Sequence, residues 1–162
     1  MINNLYLIAC IGKNNELGAD NDLIWKFSND MKFFKEKTIN NAVIMGRNTY
    51  ESIGGVLPKR ENIIITRNKD FIVDSALVFN DHESVIKYIK DNSNKEFYII
   101  GGSSIYKYYL PLCSKLYLTE VDDSYKANVY FPEFNKDDYQ SKLLYNYCEN
   151  NIHYRIVEYT KK

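Results

Sequence analysis

Apolar residues in this chain gather into short, nearly continuous runs separated by polar, turn-prone stretches. Leu5–Ile11, Ala42–Met45, Ile63–Ile65, Ala76–Phe79, Phe97–Ile100 and Leu116–Val121 are rich in β-branched residues and only a few residues long. Runs of this kind predict strands covered on both faces rather than strands with one wet face. Between them, Asn29–Thr38, Asn48–Ile53, Glu83–Lys90 and Ser104–Leu110 space their apolar residues as helices do. Strand and helix alternate, which predicts an α/β fold: three layers, with a mostly parallel central sheet and helices on both faces. After Val121 the pattern changes. Aromatic-rich segments around Tyr139–Tyr147 and Ile152–Thr160 flank Glu149-Asn150-Asn151 and read as a C-terminal antiparallel hairpin closing one sheet edge.

Length and charge narrow the class. At 162 residues the chain is expected to form a single domain, 1–162, burying roughly 68–70% of its unfolded surface without disulfide or metal support. Lys and Arg number 21, as do Asp and Glu. That balance excludes a strongly basic nucleic-acid binder or a polybasic membrane binder. Cys10, Cys113 and Cys148 are far apart with no CxxC spacing, and there are only two histidines, so no metal site is expected. Cys10 lies inside the first apolar run and reads as core rather than nucleophile. His82 and His153 read as solvated or structural. No signal-like start and no membrane-length apolar run occur, so a cytoplasmic location is expected.

In open α/β sheets, ligands bind beyond the carboxyl ends of the strands. Ala42–Met45 runs into Gly46-Arg47-Asn48-Thr49 and a helix, and Phe97–Ile100 runs into Gly101-Gly102-Ser103-Ser104 and another. Two strand–Gly–helix junctions could hold two phosphates on helix N-termini, or the glycines could simply make tight turns. A third strand end, Ile63–Ile65, carries Thr66-Arg67. For a bound dinucleotide, this pair favours a 2′-phosphate, hence NADPH.

Asp30 is the most informative single residue. With ~100° per helical residue and Asp30 at zero, Phe34 falls at about 40°, Phe33 at about 300° and Met31 at about 100°. Asp30 therefore sits in the middle of the apolar face. Stabilising the helix N-terminus would be one use for it. That role does not require pointing a carboxylate at Phe34 and Met31, and a buried carboxylate calls for a hydrogen-bonding cationic ligand or a proton. Trp25 lies in a polar, structureless stretch, Lys13–Phe27, containing Gly18; the stretch reads as a lid, with Trp25 as a core anchor the alternative.

Taken together, these residues resemble dihydrofolate reductase over essentially the full chain. The matching stretches are Leu7–Ile11 with Leu17-Gly18, Trp25 with Asp30-Met31 and Phe33-Phe34, Val43 through Gly54, Leu57-Pro58, Arg60, Asn62–Arg67, Ile99–Tyr106, Leu116–Thr119 and Phe131-Pro132. The resemblance implies NADPH-dependent reduction of 7,8-dihydrofolate to tetrahydrofolate, with antifolate inhibitors binding at the same site. It implies that Asp30, with Trp25 and Leu23 from the lid, forms the catalytic group. Asp30 would bind the pterin 2-amino group and N3, with Thr119 supporting the same end. Ile8, Ala9, Leu23, Met31, Phe34, Ile53, Leu57 and Ile100 match pocket walls, and Arg60 matches the clamp on the substrate α-carboxylate. Ala9, Ile11, Gly18, Gly46, Arg47, Asn48, Thr49, Gly101, Gly102, Ser103, Ser104 and Ile105 match cofactor contacts, with Thr66 and Arg67 at the 2′-phosphate. Gly101-Gly102 matches a pair joined by a cis peptide in the family. A monomer needing neither nucleic acid nor membrane is expected.

The chain departs from the family pattern at four places. Ile24 precedes the lid tryptophan, where proline is usual, and Ser28 stands two residues before the acid, where proline is common. Val56 precedes Leu57-Pro58 where proline is often found, and Ala127-Asn128 replaces a usual Gly-Asp. These positions bear on lid stiffness and product release. Two other readings share parts of the pattern: a pyrimidine reductase of riboflavin synthesis, which the Asp30/Arg60 pair fits less well, and a noncatalytic nucleotide- or RNA-binding module.

Overall fold

The computed structural model describes residues 1–19 and 22–162. Its central sheet has eight strands. In chain order the elements are β1 (Ile2–Ile11), β2 (Glu16–Ala19), β3 (Asp22–Leu23), α1 (Ser28–Thr38), β4 (Ala42–Gly46), α2 (Arg47–Ile53), β5 (Glu61–Ile65), β6 (Ala76–Phe79), α3 (His82–Asp91), β7 (Phe97–Gly101), α4 (Ser103–Tyr109), β8 (Cys113–Val121), β9 (Val129–Tyr130), β10 (Tyr139–Glu149) and β11 (Ile152–Lys161). The strand order is β10-β11-β8-β1-β7-β4-β5-β6. All pairs from β8 to β6 are parallel, while β11 runs antiparallel to both β8 and β10.

The continuous apolar runs are explained by two packed faces. Leu5, Leu7, Ala42, Ile44, Ile63, Phe97 and Ile99 point to one face, where Val85 and Ile89 of α3 and Ile105, Tyr106 and Tyr109 of α4 cover them. The intervening Ile8, Val43, Met45, Ile64, Tyr98 and Tyr117 point the other way, under Phe33 and Phe34 of α1 and Tyr50 of α2. Because successive side chains alternate faces, each strand needs apolar residues at every position to serve both layers.

Several expectations are corrected. The stretch Lys13–Phe27 is not structureless: β2 and β3 pair with each other, and β2 pairs with β9, in a second, three-stranded sheet of order β3-β2-β9. These strands are too short to show a period, and their partner lies more than a hundred residues away. The part of that stretch at Asp20 and Asn21 lies outside the described residues. Leu110 belongs to a 3₁₀ turn, Leu110–Leu112, rather than to α4. Glu149 is the last residue of β10 and not part of the turn. Asn150 and Asn151 make the turn alone, both with positive φ (54° and 63°), as a two-residue hairpin connection requires. Met31 is 60% exposed instead of lying on a buried face. At ~100° from Asp30 it falls off the edge of the stripe that Phe33 and Thr38 bury.

Chain order sets the ligand end of the sheet. β7 lies between β1 and β4, which the chain connects through β2, β3 and α1. The β1–β7 pairing covers only Leu5–Leu7 against Phe97–Ile99, so the two strands part beyond it. This is the switch-point geometry at which α/β sheets bind ligands.

Candidate active site

Asp30 occupies the first turn of α1, facing the carboxyl half of β1 and β8. Thr119 Oγ1 donates a 2.5 Å hydrogen bond to Asp30 Oδ1, and the Cys10 thiol also hydrogen-bonds the carboxyl. Cys10 and Thr119 are register partners on the neighbouring strands β1 and β8, so the sheet presents both groups side by side. Burial pushes the Asp30 carboxyl above its ordinary range. The Thr119 and Cys10 hydrogen bonds pull against that, and the Glu149 charge adds to it. Cys10 is half-buried and in contact with the acid, so it is part of the site's floor rather than plain core. Its parity could have shown this, since it lies two residues beyond Ile8 on the same strand face. Burial and the neighbouring carboxylate both push the Cys10 thiol up, so it is held as a thiol donor.

On the Asp30 side of the sheet, Ile8 is buried on β1 and Phe34, Leu57 and Ile100 are partly buried, whereas Ala9, also buried, points to the opposite face with Leu7. Leu23, Met31 and Ile53 are 60%, 60% and 42% exposed. Exposed large apolar side chains beside a half-buried carboxyl are a cue for a binding surface. Where β1 leaves β7, the Ile8 carbonyl accepts a 2.8 Å hydrogen bond from the buried Tyr106 hydroxyl. That bond satisfies the strand without closing the gap.

Leu57 and Arg60 are placed by a buried amide. Asn62 accepts from the Leu57 N–H at 2.9 Å and donates to the Leu57 and Arg60 carbonyls at 2.9 and 3.0 Å. Arg60 Nε then donates to Thr38 Oγ1 at 3.1 Å, and Thr38 in turn donates to the Phe34 carbonyl at 2.8 Å. Thr38 thus orients the guanidinium from the far end of α1. Sequence reading missed it because a helix-terminal threonine has no distinguishing pattern. Arg60 forms no ion pair among the described residues, and partial burial lowers its pKa.

The two glycine junctions face each other. A Cβ at Gly46 would lie 3.3 Å from Ile105, and one at Gly101 or Gly102 would lie 3.6 Å from Thr49 Oγ1. Neither α2 nor α4 carries a side-chain cap, which leaves the first-turn N–H groups of Arg47, Asn48 and Thr49, and of Ser103, Ser104 and Ile105, open to an anion. Gly101-Gly102 is a cis peptide, as the resemblance implies. Arg47 donates to Glu51 at 2.7 Å and lies 4.4 Å over the Phe71 ring. At the end of β5, the Thr66 N–H donates to the Phe79 carbonyl, and the Asn80 amide donates to the Thr66 carbonyl at 2.8 Å. This leaves Arg67 exposed. His82 accepts or donates at 2.9 Å with Tyr109 and stacks on Tyr108, a structural role.

The proposed lid residues divide. Trp25 is 7% exposed and packs with Phe27, Val121 and Tyr154, its indole N–H donating to Asp123 at 3.1 Å. Gly18 pairs with Leu23 across β2 and β3, and its carbonyl accepts from the Asn128 N–H at 3.2 Å. Ile11 is buried at the end of β1. A cavity of about 620 Å³ lies elsewhere, lined by residues that include Lys13, Glu120, Asp122 and Arg155. Within it Lys13 pairs with Asp122, and both Arg155 and Lys136 pair with Glu120. No group of His, Cys, Asp and Glu side chains among the described residues is arranged to hold a metal. No helix among them is long and apolar enough to cross a membrane.

Comparison with known proteins bears on the whole chain. The family model described as dihydrofolate reductase matches residues 4–161. A dihydrofolate reductase of Buchnera aphidicola subsp. Acyrthosiphon pisum is 42% identical over 142 residues, 87% of this chain and 86% of the relative. One from Staphylococcus haemolyticus is 35% identical over 134 residues, 83% of this chain and 80% of the relative. Among solved structures, dihydrofolate reductase from Enterococcus faecalis, complexed with NADP(H) and RAB-propyl, superposes with a TM-score of 0.85 at 29% identity, covering 98% of this chain and 96% of that one. A match that spans both glycine junctions, Asp30 and the terminal hairpin leaves no room for the pyrimidine reductase or the noncatalytic module: the chain belongs to the dihydrofolate reductase family.

Proposed function

We propose that the protein reduces 7,8-dihydrofolate to 5,6,7,8-tetrahydrofolate with NADPH, and that Asp30 is the group that orients the pterin. The observation carrying this reading is the Asp30 carboxyl itself. It is pushed up by burial and held by Thr119 and Cys10 at the carboxyl ends of two central strands.

The residues at the glycine junctions fit a dinucleotide. A Cβ at Gly46, Gly101 or Gly102 would press on Ile105, Tyr106 or Thr49, so glycine lets the two junctions lie close together, and two uncapped helix starts offer N–H groups to its phosphates. Arg67 and Thr66 would hold the 2′-phosphate, which supports NADPH over NADH. When bound, NADPH supplies the hydride that reduces pterin C6. Asp30 accepts hydrogen bonds from the pterin 2-amino group and N3, with Thr119 fixing the carboxyl's orientation. Arg60, aimed by Thr38, pairs with the glutamyl α-carboxylate. Ile8, Phe34, Leu57 and Ile100 enclose the ring and exclude water, and the exposed Leu23, Met31 and Ile53 are covered by the bound ligand. N5 lies toward the opposite edge of the pterin, so its proton comes from water while Asp30 tunes the ring. Antifolates of the diaminopyrimidine type bind at Asp30 as cations, because ion pairing offsets the carboxylate's desolvation. The enzyme works as a monomeric single domain in the cytoplasm.

The test is NADPH oxidation followed with and without dihydrofolate, in parent and Asp30→Asn protein. Parent activity should require dihydrofolate. The variant should fall by at least about 100-fold at neutral pH and recover partly in acid, where solvent protonates N5 unaided. A folded Asp30→Asn enzyme that turns over at the parent rate at neutral pH would refute the assignment.

A further inference from the structure

Helix α1, which carries Asp30, starts without a cap of its own. Its N-cap residue is Phe27, whose side chain cannot accept a hydrogen bond, and the first intrahelical bond runs from the Met31 N–H to the Phe27 carbonyl. The exposed first-turn donors are met from a distant element. Glu149, the last residue of β10, accepts from the Ser28 N–H at 2.9 Å, the Ser28 hydroxyl at 2.7 Å and the Asn29 N–H at 3.2 Å. Tyr154, on β11, donates its hydroxyl to the same carboxylate. The Tyr154 ring stacks on Phe27 at 4.2 Å between centroids and 8° between planes. The terminal hairpin therefore grips the start of α1 twice, by ring stacking and by a carboxylate cap. Ser28 supplies two of these donors. A proline at this place has no N–H and no hydroxyl, so it would remove two of the donors Glu149 uses.

We propose that Glu149 is a positioning residue for Asp30: capping α1 from the terminal hairpin, it fixes where the Asp30 carboxyl sits and supplies the negative charge that offsets the helix N-terminus beside it. This rests on the reading of Asp30 as the pterin-orienting acid. A helix start favours an anion near it, so an uncapped α1 would ease ionisation of Asp30. The Glu149 charge opposes that effect. Donation by Tyr154 and Ser28, outweighing a small burial effect, takes the Glu149 carboxyl down to about 2, so it stays ionised wherever the enzyme works. Other ionisable groups facing Asp30 are Cys10 on β1, Tyr106 on α4 and Tyr154 on β11, whose pKa values are all pushed up and which stay neutral across that range.

The experiment titrates the Asp30 carboxyl by carbon-detected NMR in ligand-free protein and measures dihydrofolate binding and thermal melting alongside it. Glu149→Gln should lower the Asp30 midpoint by about half a pH unit and weaken dihydrofolate about fivefold. Glu149→Asp keeps the charge and should hold the midpoint at the parent value. If Glu149→Gln does not fold, Ser28→Pro serves instead. It suits the first helical position, strips two donors from Glu149 while leaving its charge, and should weaken dihydrofolate in the same direction with the midpoint little moved. A Glu149→Gln protein with parent midpoint and parent dihydrofolate affinity, or a Ser28→Pro protein with parent dihydrofolate affinity, overturns the proposal, whatever its melting temperature. Asp30→Asn separates the two ideas. If that variant loses dihydrofolate while Glu149→Gln does not, only the present inference fails; if Asp30→Asn binds as the parent does, the site reading fails and takes this one with it.

Discussion

Thr119→Val isolates the bond that holds Asp30 in place. Valine keeps the shape of threonine and deletes the hydroxyl that donates to Asp30 Oδ1 at 2.5 Å. A hydrogen bond to an ionised group contributes ~1.5–3 kcal/mol. Asp30 is only half-buried, and Cys10 remains as a weak second donor, so the low end of that range applies. At 1.36 kcal/mol per pH unit, the Asp30 midpoint should rise by about one unit. The sign for stability follows from proton binding. Asp30 already titrates higher in the folded protein than its ordinary value, so the folded state binds more protons and stability falls as pH rises through that window. Thr119→Val widens the window upward. Its destabilisation should therefore be about 1.4 kcal/mol larger at pH 8 than at about pH 2, where the carboxyl is protonated in folded and unfolded states alike. Urea unfolding at the two pH values reads the difference, and any pH-independent effect of exchanging hydroxyl for methyl cancels. A fall in the Asp30 midpoint would mean that a protonated Asp30 donates to Thr119, and it would refute the account. So would an equal loss at both pH values.

Two further outcomes follow from placement. Arg60→Ala should weaken dihydrofolate by ~2–5 kcal/mol while leaving a pterin without the glutamyl tail nearly unaffected, and Thr38→Val should reproduce part of that loss by freeing the guanidinium; equal losses for both ligands in a calorimetric titration would assign Arg60 to the fold. Gly12→Ala puts a Cβ 2.4 Å from Trp25 Cη2 and 2.5 Å from Glu16 Oε1, with Glu16 buried and held by Asn14, Tyr125 and Ser124, so urea unfolding should show a loss of ~1–3 kcal/mol, and a change within about 0.5 kcal/mol would show that the Trp25 site has slack.

Strand positions, helix positions and the terminal hairpin were legible in the sequence because each is a local pattern. A buried strand such as Ala42–Gly46 must be apolar at every position to serve two layers, and α1 must repeat its apolar residues at the helical period. The same periodicity put Asp30 on the inward side of α1, where burial does raise its carboxyl. What the pattern could not carry is anything made by residues that meet only when the sheet assembles. Cys10 reaches Asp30 because β1 and β8 pair in a particular register; Arg60 is aimed by Thr38, 22 residues earlier in the chain; and β2 finds β9 across more than a hundred residues. The clearest case is Ser28. In the sequence it is only a missing proline, and it becomes a donor to Glu149 once the hairpin folds back over the helix start, 121 residues away. Periodicity records which side of an element is buried, because burial acts on every turn of it. A single hydrogen bond between distant elements leaves no repeat in the chain, so the partner that holds the start of α1 is decided by the tertiary fold alone.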